Sequence, residues 1–284
     1  MLRKAYRSVL NPPDSVSSRV RKGIRGILNG SAPRAKTRTY NETHVDQACE
    51  LAGTLKGKSV LVVGAARGGD CKLFIDRGAA IVRGLDVTSD IGQDFRHKRV
   101  AYHRASIEAS GLDGDSFDLV FATATMEHVP DIESGFKEMV RLAKPGGTVF
   151  SIAAPLWNSP YGHHMGCFHG HPWIHLALNP TEILAYAQTH DITQNNGHRI
   201  EGVINYMMNP AFFNMRNAAD YKNAVASLVG IVNVTNTLHS ETDRRLFDHP
   251  LGKLARQKLP DSELMASTHV FSARKAVAAK FPGK

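Results

Sequence analysis

Histidine is concentrated in one short stretch of this chain. Five of the 14 histidines lie between residues 163 and 175, within PYGHHMGCFHGHPWIHL (160–176). A neutral imidazole can take a proton from a hydroxyl group near pH 7, which accelerates a reaction by about 10²–10⁴. Imidazole also binds transition metals. The stretch therefore indicates proton transfer, metal binding or a purely structural set of hydrogen bonds.

Three histidines are candidate general bases, namely His128, His163 and His164. The metal alternative would use the five clustered side chains, which are His163, His164, His169, His171 and His175. Their spacing matches no standard zinc signature, so we predict no metal ligand.

Aromatic residues alternate with these histidines and suggest a binding surface for an acceptor molecule. A flat aromatic ring can stack on a sugar and present a polar edge to it. The predicted acceptor-binding residues are Glu127, Trp157, Tyr161, His169, His171 and Trp173.

A turn of small residues follows the first apolar strand. It reads VLVVGAARGG (60–69), and such a turn lets the backbone approach a ligand closely. The following helix offers its first N–H groups to that ligand. Asp86 ends the next strand, 18 residues beyond Gly68, where a carboxylate can accept both hydroxyls of a ribose. The pattern predicts a site for a nucleoside-containing cofactor.

Strands and helices alternate from Asn41 to residue 154, which is typical of a parallel sheet covered on both faces. Asn41 is placed to cap a first helix, and His171 precedes Pro172 at the expected start of another. Further along, we expect a helix over 215–232, a sixth strand over 199–204 and a last strand over 268–276. The predicted fold class is α/β, with a Rossmann-like, mostly parallel sheet.

Charge divides the chain into two parts. Residues 1–40 contain ten Lys or Arg and one acidic residue, whereas residues 41–284 contain 25 basic and 25 acidic residues. We therefore predict a basic N-terminal arm over 1–40 and a main domain over 41–284. Within the domain we expect a His/aromatic lid insertion over 155–180 and a helical insertion over 205–265.

The arm contains one predicted amphipathic helix. Its apolar residues recur every four positions and alternate with basic ones: Val16, Val20, Ile24 and Leu28. Packing on the domain, contact with an anionic membrane and contact with a phosphate group all remain open. No aromatic-rich basic groove follows, so nucleic acid is not a predicted partner. The oligomeric state is open.

Four segments together resemble class I S-adenosylmethionine-dependent methyltransferases, most closely the small-molecule type related to ubiquinone-biosynthesis methyltransferases. They are VLVVGAARGG (60–69), GLDVT (84–88), DSFDLVFATATMEHVPD (115–131) and FKEMVRLAKPGGTVF (136–150). The resemblance implies a seven-stranded sheet with S-adenosylmethionine over the ends of the first, second and fourth strands. S-adenosylhomocysteine would be the product.

The resemblance also implies roles for individual residues. The turn would face the methionine part and the ribose, Asp86 the ribose hydroxyls, and Ser106 and Ile107 the adenine. The implied cofactor-binding residues are Gly64, Ala65, Ala66, Gly68, Asp86, Val87, Ser106, Ile107, Ala122 and Thr123. Three positions depart from the family pattern, since Val62 and Ser106 replace usual carboxylates and Ala66 replaces a glycine.

From these observations we predict methyl transfer to an oxygen of a small molecule or glycan, assisted by histidine. A sugar or nucleotide-linked sugar is the favoured acceptor. A quinone or lipid-ring methyltransferase and a non-catalytic cofactor-binding module are the alternatives. Three cysteines and no signal peptide or apolar span of membrane length indicate a cytoplasmic protein, with the inner membrane face as a further location for the arm.

Overall fold

The computed structural model describes residues 38–277. The predicted amphipathic helix of the basic arm lies outside the described residues. Within the described range, no helix combines the length and the apolar character that crossing a membrane requires.

A seven-stranded sheet forms the centre of the molecule, and its strands run in the order β3-β2-β1-β4-β5-β9-β8. Strands β1 to β5 are parallel, and β9 is antiparallel to both β5 and β8. The strands are β1 Ser59–Val63, β2 Ile81–Asp86, β3 Val100–Arg104, β4 Phe117–Thr123, β5 Ala143–Ala153, β8 Ile231–Ser240 and β9 Ala266–Lys275. A separate two-stranded hairpin joins β6 Gln194–Asn195 to β7 His198–Arg199.

Helices cover both faces of the sheet. They are α1 Tyr40–Ala52, α2 Gly69–Asp76, α3 Ile132–Leu142, α4 Ile174–Ala177, α5 Pro180–Thr189, α6 Ile200–Met207, α7 Ala218–Ala226, α8 Pro250–Ala255 and α9 Asp261–Leu264. The apolar sides of α1 and α2 pack on one face of the sheet, and those of α3 and α7 pack on the other. The predicted α/β fold and its seven-stranded sheet are confirmed.

The start of α1 differs from the prediction. Thr39 caps the helix, because its hydroxyl accepts from the Glu42 backbone N–H and the Glu42 carboxylate accepts from Thr39 in return. Asn41 is already inside the helix, and its amide instead donates to Asp70 at 2.7 Å. The predicted cap at Asn41 is therefore wrong by two residues.

The segment from α6 to β8 also differs from the prediction. Residues 199–204 belong mainly to α6, and the sixth strand of the sheet is β8, which starts where the predicted helix over 215–232 would end. Five of the ten β8 residues are Ile, Val or Thr, which suit a strand better than a helix. They are Ile231, Val232, Val234, Thr235 and Thr237. The insertion over 205–265 is thus not purely helical.

The segment over 155–215 contributes most of one hydrophobic core that is separate from the cores of the sheet. Trp157, Phe168, Ile183 and Phe213 belong to one cluster, and Trp173 packs in a second cluster with Phe247. Helix α4 starts at Ile174 rather than at Pro172, so His171 is not its cap. The region expected to be a lid is therefore a packed subdomain beside the sheet.

His269 on β9 is expected to make the fold sensitive to acid. Its side chain is fully buried and lies 2.9 Å from the Asn236 amide oxygen. Burial, and then Lys222, lower its pKa to about 4, so below pH 6.5 the unfolded chain binds a proton that the folded chain does not. We expect this residue to reduce the free energy of unfolding by about 2 kcal/mol between pH 7 and pH 5.

Urea denaturation of the wild type and His269→Gln at both pH values tests this. The glutamine amide can still donate to Asn236 but does not titrate. The variant should therefore lose about 2 kcal/mol less stability than the wild type on acidification. An equal loss in both proteins would contradict the assignment.

Candidate active site

The turn between β1 and α2 runs close to two neighbouring segments. Gly64 has a φ of +72°, and a side chain added there would overlap that of Thr125, which follows β4. Gly68 has a φ of +103°, and a side chain there would overlap the Tyr102 hydroxyl. Ala66 adopts a left-handed φ of 44°. The turn thus requires glycine at two positions, as its sequence indicated.

The Asp86 carboxylate connects this turn to the end of β2. It accepts hydrogen bonds from the backbone N–H groups of Ala66, at 2.8 Å, and Thr88, at 2.9 Å. Both bonds fix the orientation of the carboxylate, whose residue is 6% exposed. Val87 beside it is 43% exposed and offers an apolar surface at the same edge.

The predicted adenine and methyl positions are mostly packed inside the protein. Ile107 and Ala122 are buried in the core shared with α3. The Ser106 hydroxyl accepts from the Glu108 backbone and donates to the Glu108 carboxylate, so it caps a short helical turn. Thr123, at the end of β4, is buried, and its hydroxyl has no hydrogen-bond partner among the described residues.

Glu127, His128 and His164 meet just beyond the end of β4. One ligand-type atom from each side chain lies within 4.8 Å of the other two. Glu127 is 3% exposed, and within residues 38–277 neither of its carboxylate oxygens has a hydrogen-bond partner. Burial raises the pKa of this carboxyl to about 8.

The two imidazoles are oriented by backbone carbonyls. His128 Nδ1 lies 2.6 Å from the Phe212 oxygen, and His164 Nε2 lies 2.9 Å from the Pro155 oxygen. Because a carbonyl can only accept, these nitrogens carry the protons, and when a ring is neutral its other nitrogen is an acceptor. Burial holds the pKa of His164 well below its usual value, which keeps the ring neutral.

This arrangement suits two kinds of chemistry. A buried carboxylate beside two imidazole acceptors can take a proton from a hydroxyl group held between them. The same three groups could hold a divalent cation. One nitrogen of each imidazole donates to a backbone carbonyl, as in most metal-binding histidines, and a metal would bind the other nitrogen. This cluster shares only His164 with the five-histidine metal site considered from the sequence.

The other lid histidines are distributed among separate environments. His163 and His175 are buried with ring centres 5.3 Å apart, and His163 Nδ1 accepts from the Met165 backbone. His169 is exposed and stacks on Tyr161 at 4.7 Å. The structure therefore brings His164 to the cluster and leaves its neighbour His163 in the subdomain core.

Two predicted acceptor-binding residues lie elsewhere. His171 contacts the Tyr186 hydroxyl at 2.9 Å. Trp173 is fully buried and stacked on Phe247 at 4.9 Å, and its indole N–H donates to the carbonyls of Asn158 and Leu264. A ring packed in this way has no face for a sugar, so the sequence-based role for Trp173 is corrected to core packing. Trp157 instead lies near the cluster, 5.7 Å from Phe213.

Two residues near the candidate site, Asp70 on α2 and Tyr40 on α1, were not among the residues predicted from the sequence. Asp70 is 9% exposed, and its pKa is raised by burial. The pKa of the Tyr40 hydroxyl is raised by burial of the hydroxyl, and then by the charges of Glu127 and Asp70, while the residue as a whole is 48% exposed. The position of Asp70, directly after Gly68 and Gly69, was the available signal. Tyr40 had none, because only the tertiary structure brings α1 here.

The strand order, the glycine turn and the carboxylate at the end of β2 define a class I S-adenosylmethionine-dependent methyltransferase domain. A family model described as "Methyltransferase domain" matches residues 61–151.

Curated relatives match the same part of the chain. An "Uncharacterized methyltransferase" of Mycobacteroides abscessus is 31% identical over 122 residues, which are 40% of this chain and 47% of the relative. A "Ubiquinone biosynthesis O-methyltransferase" of Coxiella burnetii is 34% identical over 103 residues, which are 34% of this chain and 44% of the relative. The chain thus spans less than half the length of these relatives.

A solved structure is similar over most of the described chain. The S-adenosylmethionine-dependent methyltransferase from Mesorhizobium loti aligns with a TM-score of 0.49 and 18% identity, covering 81% of this chain and 96% of that one.

Proposed function

We propose that this protein transfers the methyl group of S-adenosylmethionine to an oxygen atom of a small molecule, and that the acceptor hydroxyl binds at Glu127, His128 and His164. The observation that carries the proposal is the position of this cluster. It follows β4 directly, next to the strand that leads into the glycine turn. The residues proposed to bind the cofactor and those proposed to bind the acceptor hydroxyl therefore lie at the same edge of the sheet.

The residues at this edge fit the cofactor chemically. S-adenosylmethionine carries a ribose diol, an ammonium group and a sulfonium group. The site supplies carboxylates at Asp86, Asp70 and Glu127, which are all at most 9% exposed. Burial raises the pKa of the Glu127 carboxyl to about 8, and a cationic ligand beside it would favour its charged form. When bound, the cofactor supplies an electrophilic methyl group.

Glu127 is the group proposed to take the proton of the acceptor hydroxyl. Its raised pKa makes it a stronger base than an ordinary carboxylate, whereas burial makes His164 a weaker base than an ordinary histidine. In an acceptor with a second hydroxyl group, such as a catechol, that second hydroxyl would donate to an acceptor nitrogen of His128 or His164 and so orient the ring. Alignment of this kind can contribute about 7–11 kcal/mol to the barrier reduction.

An aromatic ring is the acceptor that the cluster supports best. Phe213 packs against both imidazoles, with ring centres 5.0 Å from His128 and 4.9 Å from His164. This gives the site an apolar, aromatic wall on its acceptor side. The relative from Coxiella burnetii is named for ubiquinone biosynthesis, which also favours a ring hydroxyl. The sugar acceptor expected from the sequence has no such support.

Isothermal titration calorimetry with S-adenosylhomocysteine tests the cofactor part of the proposal. We expect micromolar binding to the wild type and at least tenfold weaker binding to Asp86→Asn, since a charge-assisted hydrogen bond contributes about 1.5–3 kcal/mol. Asp94→Asn, which removes an exposed carboxylate near the same turn, is the matched control. Absence of binding to folded wild type would overturn the proposal.

An acceptor screen tests the reaction. Formation of S-adenosylhomocysteine should occur with catechols or hydroquinones and not with free or nucleotide-linked sugars. Binding of the cofactor without turnover on any ring or sugar would instead favour the non-catalytic module.

A further inference from the structure

We infer that the Asp70 carboxylate binds the ammonium group of the cofactor's methionine part, an inference that rests on the proposed function. Asp70 is the second residue of α2 and directly follows the glycine turn. It therefore lies at the same edge of the sheet as Asp86, but on the α1 side of the turn.

Burial raises the pKa of the Asp70 carboxyl, and the Asn41 amide and the His44 imidazole on α1 lower it in part. The Asp70 side chain is almost fully buried, and the hydrogen bond that it accepts comes from the neutral amide of Asn41. Among residues 38–277, no lysine or arginine forms an ion pair with it. A buried carboxylate without an ion-pair partner is costly, and that cost is offset when a cationic ligand binds.

The other acidic groups near the turn have different positions. Asp86 is held by the backbone of Ala66 and Thr88 at the end of β2. Glu127 belongs to the cluster beyond β4. Val62, on β1, is fully buried in the apolar core and offers no polar group. Asp70 is thus the carboxylate that remains for an ammonium group beside the turn.

The first turn of α1 closes over this carboxylate. Asn41 donates to one Asp70 oxygen at 2.7 Å and so holds the start of α1 against the start of α2. A purely structural role, in which Asp70 ties α1 to α2, predicts no dependence on the ligand's ammonium group.

Calorimetry with two ligands separates these roles. The first ligand is S-adenosylhomocysteine, and the second is its deaminated analogue, in which hydrogen replaces the ammonium group. We expect Asp70→Asn to weaken binding of S-adenosylhomocysteine by about tenfold to a hundredfold. Binding of the deaminated analogue should be equally weak in the wild type and the variant, because the interaction is already absent.

Two control variants complete the test. Asp76→Asn removes an exposed carboxylate from the same helix, where it pairs with Lys72, and should leave both affinities unchanged. Asn41→Ala removes the bond between α1 and α2 but keeps the carboxylate. This variant should still prefer S-adenosylhomocysteine over the deaminated analogue.

The possible failures can be told apart. Equal weakening of both ligands by Asp70→Asn, or no weakening of either, would overturn the ammonium role while leaving the cofactor proposal intact. Failure of the wild type to bind S-adenosylhomocysteine would overturn the proposed function, and this inference with it. Circular dichroism of each variant confirms that the compared proteins are folded.

Discussion

Replacing Glu127 by glutamine is expected to reduce turnover by about 10²–10⁴-fold, the usual contribution of a general base. The amide has the same shape as the carboxyl group but cannot take the proton of the acceptor hydroxyl. Affinity for S-adenosylhomocysteine should change little, because this product lacks the sulfonium charge. Single-turnover kinetics on a ring hydroxyl acceptor, combined with calorimetry, measure both quantities.

Glu50→Gln is the matched control for this substitution. Glu50 is exposed on α1, so its loss should leave turnover within twofold of the wild type. An unchanged rate in Glu127→Gln would exclude Glu127 as the base. One equivalent of divalent metal in untagged protein, lost in Glu127→Gln, would assign the cluster to a cation instead.

Replacing Gly64 by alanine is expected to lower the free energy of unfolding by about 2–4 kcal/mol. The φ of +72° is unfavourable for alanine, and the new methyl group would overlap the Thr125 side chain. Either the turn or Thr125 must move, and both lie at the cofactor edge of the sheet. Cofactor affinity should therefore fall together with stability, as followed by urea denaturation and calorimetry.

Gly69→Ala provides the control within the same turn. A side chain at Gly69 meets nothing within 4 Å, and its position at the start of α2 suits alanine. This variant should stay within about 0.5 kcal/mol of the wild type. In Gly64→Ala, a second substitution of Thr125 by glycine should restore part of the loss, since it removes the overlap but not the backbone strain. Equal effects of the two alanines would refute the explanation.

The cofactor half of the site could be predicted from the sequence because its determinants are local. A buried strand, a turn of small residues and an acidic residue at the next strand end are all readable within 59–86. The structure places the Asp86 carboxylate against the backbone of Ala66, at the edge where β1 and β2 end, and its contact with a ribose stays a prediction. Parallel strands bring successive carboxyl ends to one edge, so order along the chain translates directly into position.

The acceptor half could not be predicted in the same way. His163 and His164 are adjacent in sequence, yet only His164 reaches His128, because it adopts a left-handed φ of 60° in an irregular segment. Tyr40 reaches the site through the packing of α1, which no local pattern records. The helix predicted over 215–232 contains α7 but also covers the first two residues of β8, because spacing alone does not separate a short apolar helix from an edge strand.

The cluster lies where the sheet and the adjoining subdomain meet. Glu127 and His128 follow β4, whereas His164 and Phe213 belong to the segment that contributes most of a separate hydrophobic core. The bond from His128 to the Phe212 carbonyl and that from the Asn214 backbone to the Glu127 carbonyl join the two halves. The geometry of the proposed catalytic cluster therefore depends on the contact between the sheet and the subdomain. Natural variation in the subdomain can change which acceptor is presented while the methyl donor stays in place, and an exchange of residues 156–215 between relatives is the natural unit for redesign.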